Sequence, residues 1–408
     1  VNGRASFEKR GRVNVGVGYA ISANQLRHFL GLLKGGRLVD HATLGATVAT
    51  SGDGRVVVSD ILESSDAWKR GLRYDDEIVS LAGRSVRTVN AFKNVLGTLP
   101  AGWRVPLVYR RGGRREELLV RLAGVHTAAE LANLVEGKPQ KPAGRPPAPP
   151  RDADPPLPGK TPERAPEKPP GDDGKETPLP EAVRPLYEAR RGFTNHHFNT
   201  VERDRVARRI AAAGVDAGPE GRPGGRWTLA GRLATGEAFR IELSDGEGVI
   251  DLPTGTTRVD ATGELDANPS PPGSGGMLAA LLLWRRLVLE GPQPLGRTSY
   301  WGTVPLDPGS FGAAGGPRLV DMLETSVAGI EARFTVQADG SVAGIELWTA
   351  PDADPCEIRF GAAPPEQRPN LPAGVPASIE VRHGNELFGV FQVENAVLDS
   401  ADADGGGT

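Results

Sequence analysis

One stretch of the chain determines the fold of its first half, and it reads Ser64-Ser65-Asp66-Ala67-Trp68-Lys69-Arg70-Gly71-Leu72-Arg73-Tyr74-Asp75-Asp76-Glu77-Ile78-Val79-Ser80-Leu81-Ala82-Gly83-Arg84-Ser85-Val86. The pattern predicts a short helix that stops at Gly71, because glycine is favoured where a helix ends. An acidic turn follows at Asp75 and Asp76, and then a strand that ends at the glycine turn of Gly83.

This order of elements resembles the middle of a PDZ domain of the bacterial HtrA type. The resemblance extends over residues 40–122, and we set the domain boundaries at 37–124. It implies a small, mostly β domain of α+β class that binds peptides and catalyses nothing by itself. One position departs from the family, because Asp75 stands where glycine is usual. Aspartate tolerates left-handed backbone geometry at some cost, so we expect the turn to form.

The resemblance also implies a peptide site. In PDZ domains a peptide adds as a strand beside an edge strand, and its terminal carboxylate lies in a nest of backbone N–H groups. The nest corresponds here to Thr43-Leu44-Gly45-Ala46, and the edge strand continues through Thr47 and Val48. The opposite wall is the predicted helix Thr88–Leu96, with Thr88 as N-cap. Phe92 and Leu96 on that helix belong either to the groove or to the core. The small Ala46 predicts room for a bulky last peptide residue.

The residues before this region resemble the end of a trypsin-like domain. Asn14-Val15-Gly16-Val17-Gly18-Tyr19-Ala20-Ile21 reads as a glycine-bearing strand, and helical spacing follows from Ser22 to Leu33. In HtrA proteases a similar strand closes the second protease barrel before the helix that leads into the PDZ domain, although Ser22 stands where that family commonly has proline. Residues 1–36 are therefore interpreted as the remnant of a protease domain.

A catalytic role is not expected of this chain. A trypsin-like triad needs a serine in a Gly-x-Ser-Gly-Gly context upstream of the closing strand, and no such motif precedes Asn14. Gly273-Ser274-Gly275 imitates that context but lies far downstream, with no partner pattern for a base. The adjacent His196 and His197 point about 100° apart on a helix, so they do not form a metal pair. No catalytic residue, metal or cofactor is predicted.

Composition narrows the possible partners. The 48 basic and 51 acidic side chains nearly cancel, which argues against a dedicated nucleic-acid binder. No apolar run reaches the roughly 20 residues that span a bilayer. The single cysteine, Cys356, allows no intrachain disulfide and is interpreted as a packing residue.

The second half of the chain predicts a separate unit. After a short helix near Thr127–Glu136, residues 137–180 hold 15 prolines and almost nothing to bury, so residues 125–180 are assigned to a helical turn and a disordered linker. We expect that linker to connect the two domains without fixing their relative orientation. Residues 181–400 predict an α+β domain with two helices and a large antiparallel sheet, and 401–408 a disordered tail. The closing hairpins of this domain resemble LolA-like lipoprotein carriers.

The sequence thus indicates the PDZ-containing, non-catalytic part of an HtrA-like serine protease, which binds C-terminal or extended peptides in proteolysis or protein quality control. By that resemblance the protein is located in the cell envelope or periplasm. The resemblance also implies possible homo-oligomers, which would form through a protease domain that is missing from this chain. Two alternatives stay open: a stand-alone PDZ adaptor, and a C-terminal carrier domain for an apolar or lipoprotein ligand.

Overall fold

The fold is described from a computed structural model that covers residues 2–7, 14–135, 180–215, 225–263, 265, 269–312, 316–327, 329–362 and 371–399. Residues 137–179 of the predicted linker and the predicted tail from 401 to 408 lie outside the described residues. The described part contains two large antiparallel sheets, one of six strands and one of eleven.

The first third of the chain forms an N-terminal hairpin, a helix and the six-stranded sheet. Its elements are β1 Asn2–Phe7, β2 Asn14–Ala20, α1 Ala23–Lys34, β3 Ala42–Thr43, β4 Ala46–Thr50, β5 Val56–Ile61, α2 Asp66–Lys69, β6 Glu77–Leu81, β7 Arg84–Ser85, α3 Val89–Leu96, β8 Arg104–Arg111, β9 Arg114–Arg121, β10 Ala123–Gly124 and α4 Ala128–Val135. The sheet order is β4-β5-β6-β8-β9, with β7 paired to β6. The strand, helix and turn predictions over 64–86 are confirmed.

The described residues from 180 onwards form an α+β domain, as predicted. Its elements are α5 His196–Ala213, β11 Trp227–Leu233, β12 Ala238–Leu243, β13 Glu247–Leu252, β14 Gly255–Asp260, α6 Met277–Glu290, β15 Arg297–Pro305, β16 Leu319–Val327, β17 Ile330–Val336, β18 Val342–Trp348, β19 Cys356–Gly361, β20 Ser378–His383 and β21 Glu386–Leu398. The eleven strands lie in the order β14-β13-β12-β11-β21-β20-β19-β18-β17-β16-β15.

Helix α6 is the centre of the larger core. Its residues from Met277 to Arg285 are all buried, so the helix is enclosed around nearly its whole circumference. The helix contacts both β12 and β19, which stand four places apart in the sheet. A flat sheet would separate those strands by roughly 19 Å, more than a helix diameter. The sheet therefore curves around α6.

The PDZ-like region and the larger domain share one hydrophobic cluster. Trp103 after α3 is fully buried, and its indole Nε1 donates a hydrogen bond to the carbonyl oxygen of Thr303 in β15 at 2.9 Å. Trp301 and Met322 of the larger sheet belong to the same cluster. Packing of described residues therefore fixes the orientation of the two regions, whereas the predicted linker itself lies outside the described residues.

Ion pairs surround this shared cluster, with the cation on the PDZ side each time. Arg121 pairs with Glu346 at 2.7 Å, Arg70 pairs with Asp354 at 2.6 Å, and Arg104 pairs with Glu357. A further pair joins Arg37, in the connection after α1, to Glu324 in β16 at 2.9 Å. The interface thus combines an apolar centre with complementary charge.

Helix α1 lies in the angle between the two regions. Its His28 Nδ1 lies 2.8 Å from the carbonyl oxygen of Thr98, and Gln25 Nε2 donates to the carbonyl oxygen of Gly97 at 3.0 Å. On the other side, a Cβ at Gly31 would lie 2.3 Å from the Thr303 hydroxyl. Glycine at this position lets the helix approach β15 closely.

The shared cluster predicts a difference between two glycines with the same backbone geometry. Gly102 and Gly113 have φ of +85° and +84°, but only a Cβ at Gly102 would meet a neighbour, the Trp301 ring at 2.6 Å. Both alanine substitutions carry the cost of a left-handed φ, and Gly102→Ala adds an overpacking cost of about 1–3 kcal/mol. Urea unfolding should show Gly102→Ala as the less stable variant. Equal losses would mean that Trp301 does not hold the interface.

Candidate functional site

The loop between β3 and β4 has the geometry of a backbone turn that requires glycine. Gly45 has φ +71°, and a Cβ there would lie only 2.5 Å from Cβ of Ser65. Its N–H donates to the Thr43 hydroxyl at 3.2 Å, and its carbonyl oxygen accepts from the Leu62 N–H at 2.9 Å. Leu44 is buried beneath the loop. Any side chain at residue 45 would therefore meet both backbone strain and a steric overlap.

Strand β4 continues from this loop along the edge of the six-stranded sheet. It pairs on one side only, with β5, through Ala46 opposite Ile61 and Thr47 opposite Asp60. A register shift lies between Thr47 and Val48. Helix α3 contacts this edge strand. An edge strand offers unpaired backbone groups to which an extended peptide can add.

Helix α3 begins and ends as its sequence predicts. The Thr88 hydroxyl accepts a hydrogen bond from the Ala91 N–H at 3.0 Å, which satisfies one of the free donors of the first turn. Phe92 and Leu96 are both buried in the hydrophobic cluster of this domain, with exposures of 3% and 8%. Of the two interpretations of these side chains, their burial favours core packing.

The acidic turn that departs from the family pattern is held by its second aspartate. Asp75 has φ +63°, the left-handed geometry expected for a position that glycine usually fills. Asp76 is buried, accepts from the Arg73 N–H at 2.7 Å and pairs with Arg111 at 2.6 Å. These contacts anchor the turn in spite of the strain at Asp75.

The side chains that could imitate catalytic or metal sites have structural roles. The Ser274 hydroxyl is buried and accepts from the Met277 N–H at 3.1 Å, so it stabilises the start of α6. His196 bonds to Glu188 at 2.8 Å through Nδ1. Burial raises the pKa of the Cys356 thiol far above its usual range, which makes that thiol a poor nucleophile.

Metal clusters and membrane-spanning helices are both absent from the described residues. Over those ranges no group of three or more His, Cys, Asp or Glu residues is arranged to hold a metal ion. None of the helices in this part of the chain combines the length and apolar character needed to cross a membrane.

The interdomain arginine–carboxylate pairs were not anticipated from the sequence. Glu346 in β18 and Glu357 in β19 lie directly opposite each other on adjacent strands. Like charges in that position are unfavourable unless a cation is placed near both. The Arg121 guanidinium lies 2.7 Å from Glu346 and 4.0 Å from Glu357, and supplies that charge. A pair of glutamates on facing positions of adjacent strands thus indicates that a basic side chain from another part of the chain packs there.

Comparison with known proteins identifies the class of the first domain. Residues 42–122 match the PDZ domain family. The loop, edge strand and helix described above all lie within that range.

The chain also has distant, partial similarity to HtrA-type proteases. It is 28% identical over 113 residues to the periplasmic serine endoprotease DegP of Escherichia coli K12, covering 25% of this chain and 24% of the relative. It is 32% identical over 78 residues to a probable periplasmic serine endoprotease DegP-like of Chlamydia trachomatis, covering 19% and 16%. The chain therefore spans at most about a quarter of the length of these curated relatives.

Two solved structures are similar over part of the chain. One is titled HtrA-type protease AlgWS227A with decapeptide, at 16% identity and a TM-score of 0.24, covering 30% of this chain and 40% of that one. The other is the serine endoprotease from Yersinia pestis, at 16% identity and a TM-score of 0.23, covering 30% and 42%. None of these comparisons shows a likeness of the eleven-stranded domain to LolA-like carriers.

Proposed function

We propose that this chain captures C-terminal or extended peptides in the groove between β4 and α3, and that it serves as the non-catalytic part of an HtrA-like serine protease. The observation that carries the proposal is the one-sided pairing of β4 directly after the Gly45 loop. A peptide that adds to β4 gains main-chain hydrogen bonds, and the loop N–H groups attract its carboxylate. Thr43, Leu44, Gly45, Ala46, Thr47 and Val48 are the proposed contacts.

The burial of Phe92 and Leu96 limits their part in this site. Both pack in the core of the domain, so we assign them the support of the groove wall. Ala46 is only half-buried and small. The proposed ligand therefore ends in a bulky apolar residue that fills the space above Ala46.

The wider setting is inferred from the relatives. The curated relatives are named as periplasmic serine endoproteases, which supports a role in proteolysis or quality control in the cell envelope. The strand β2 and helix α1 precede the PDZ domain in the order expected behind a protease barrel. The peptidase activity would reside in a protease domain, which would also mediate any homo-oligomer. A stand-alone adaptor would use the same groove without that domain.

The peptide proposal predicts a dependence on the free carboxylate. A fluorescein-labelled peptide that ends in a bulky apolar residue should bind at least tenfold more tightly as the free acid than as the C-terminal amide, a difference of about 1.4 kcal/mol. Fluorescence anisotropy with the whole chain measures both affinities. Gly45→Trp should abolish the binding, because the side chain would overlap Ser65 and fill the nest.

Gly54 supplies the matched control for that variant. It has φ +82° and no atom within 4 Å of the position of a Cβ. Gly54→Trp should therefore keep the affinity of the unmodified chain. Equal binding of acid and amide, or full binding by Gly45→Trp, would contradict the proposed site. The acid–amide comparison needs no variant and remains decisive even if Gly45→Trp misfolds.

A second function is supported by one cavity in the larger domain. A cavity of about 350 Å³ lies between α5, α6 and the sheet, and its apolar lining includes Ile210, Trp284, Val288 and Phe360. This volume falls within the range of small-molecule sites. We propose on this ground that the domain also carries an apolar ligand.

The carrier function predicts saturable binding of a fatty acid. Lauric acid should displace anilinonaphthalene sulfonate from the chain, and Val288→Trp should weaken this displacement at least tenfold by filling the cavity. Glu290→Trp, two residues along the same helix but exposed, should leave it unchanged. Equal displacement in both variants would exclude this cavity as the site.

A further inference from the structure

A basic cleft lies where helix α1, the PDZ domain and the larger domain meet. It has a volume of about 560 Å³ and is lined by residues of α1, of the β6–β7 turn, of the end of α3 and of the segment that follows the strand β15. The lining includes two arginines, Arg27 and Arg84, and His28. None of the described residues that line it is Asp or Glu. An excess of cations in a concave site favours an anionic ligand.

The floor of the cleft is apolar. Ala82, Val95 and Leu99 are buried there, with exposures of 2% to 4%, and Phe311 packs against the same hydrophobic cluster. A cleft with a basic rim and an apolar floor matches a ligand that carries a negative group on an apolar body. Arg84 is exposed and forms no ion pair with any residue that the structure describes.

His28 sits inside this arrangement in a fixed orientation. Its Nδ1 lies 2.8 Å from the Thr98 carbonyl oxygen, so Nδ1 carries the hydrogen, and its ring meets the Trp103 ring at 5.1 Å between centroids. Burial lowers the pKa of His28, and the Arg27 charge lowers it further, while the bond to Thr98 opposes both. A carboxylate bound nearby would raise this pKa, because it favours the charged ring.

The cleft exists only in the docked arrangement of the two domains. Phe311, Gly316 and Pro317 come from the larger domain, whereas the other walls come from α1 and the PDZ domain. The approach is close, because a Cβ at Gly83 would lie 2.7 Å from the backbone nitrogen of Gly312. A ligand in the cleft would therefore contact all three parts of the chain at once.

We propose that this cleft is a second peptide site, separate from the β4–α3 groove, which binds a carboxylate borne on a short aliphatic peptide segment. The two sites are separated by the segment from Val95 to Leu99, since the Leu99 carbonyl oxygen accepts from the Ala42 N–H next to the groove loop at 3.2 Å. One polypeptide could thus contact both. Binding in this cleft does not require the groove to bind peptides.

The carboxylate could come from an acidic side chain or from a chain end, and three labelled peptides separate the sources. The first is an aliphatic peptide with one internal glutamate and both ends blocked, the second has glutamine in its place, and the third has no acidic side chain but a free C-terminal carboxylate. Binding is measured with the whole chain by anisotropy, and the pKa of His28 by NMR titration of its ring carbon.

Charge variants identify the site. We expect the glutamate peptide to bind at least tenfold more tightly than the glutamine peptide, Arg84→Glu to abolish that preference, and Arg84→Lys to retain most of it. Arg87→Glu is the matched control, because Arg87 is also exposed and lies three residues further on, outside the lining. The pKa of His28 should rise on saturation, and binding should persist in Gly45→Trp.

The opposite results would overturn the proposal. They are equal binding of the glutamate and glutamine peptides, equal losses in Arg84→Glu and Arg87→Glu, or an unchanged His28 pKa at saturation. If the free-end peptide alone binds and Gly45→Trp abolishes that binding, the groove is the site and the cleft proposal fails. If the glutamate peptide binds through Arg84 while the free-end peptide does not bind, the groove proposal fails and this one stands.

Discussion

The burial of Trp103 against β15 is the contact on which the arrangement of this molecule depends. A tryptophan buries a large apolar area, and its N–H must find an acceptor when it leaves water. The Thr303 carbonyl oxygen is that acceptor, from the other domain. The ion pairs around Trp103 also hold the two domains together. The buried Glu357 pairs with Arg104, and Arg121 lies 4.0 Å from the same carboxylate, so two cations compensate its charge. Burial raises the pKa of Glu357, because removal from water disfavours the charged carboxylate.

Docking and the proposed peptide binding use different surfaces of the PDZ domain. The interdomain contacts described above involve Arg70, Trp103, Arg104 and Arg121, whereas the groove is formed by residues 43–48 and α3. The edge of β4 therefore stays available while the two domains are held together. Helix α1 contacts Thr98 and Gly97 close behind the groove loop and also packs on β15. In the described part of the chain, the PDZ domain is therefore held in a fixed position against the domain of the eleven-stranded sheet.

Local signals explain most of what the sequence could predict. The Thr88 cap, the left-handed Asp75 and the glycine at residue 45 depend on backbone chemistry within a few residues, and all three have the predicted geometry. Helix α5 starts at His196, because the Asn195 side chain accepts from the His197 N–H and caps the helix there. Strand β14 has almost no strand signal in its sequence, since Gly-Thr-Thr-Arg-Val-Asp offers little to bury. The docking could not be predicted, because Arg121 and Glu346 are 225 residues apart. The groove residues remain predictions.

The most direct test of this account is a backbone amide NMR titration of the whole chain with a peptide that ends in a bulky apolar residue and a free carboxylate. The account predicts saturable shifts concentrated on Thr43 to Val48 and along α3, with the Trp103 indole N–H unchanged because docking is retained. Shifts confined to the larger domain, or a Trp103 signal that moves to a solvent-exposed position on binding, would contradict it.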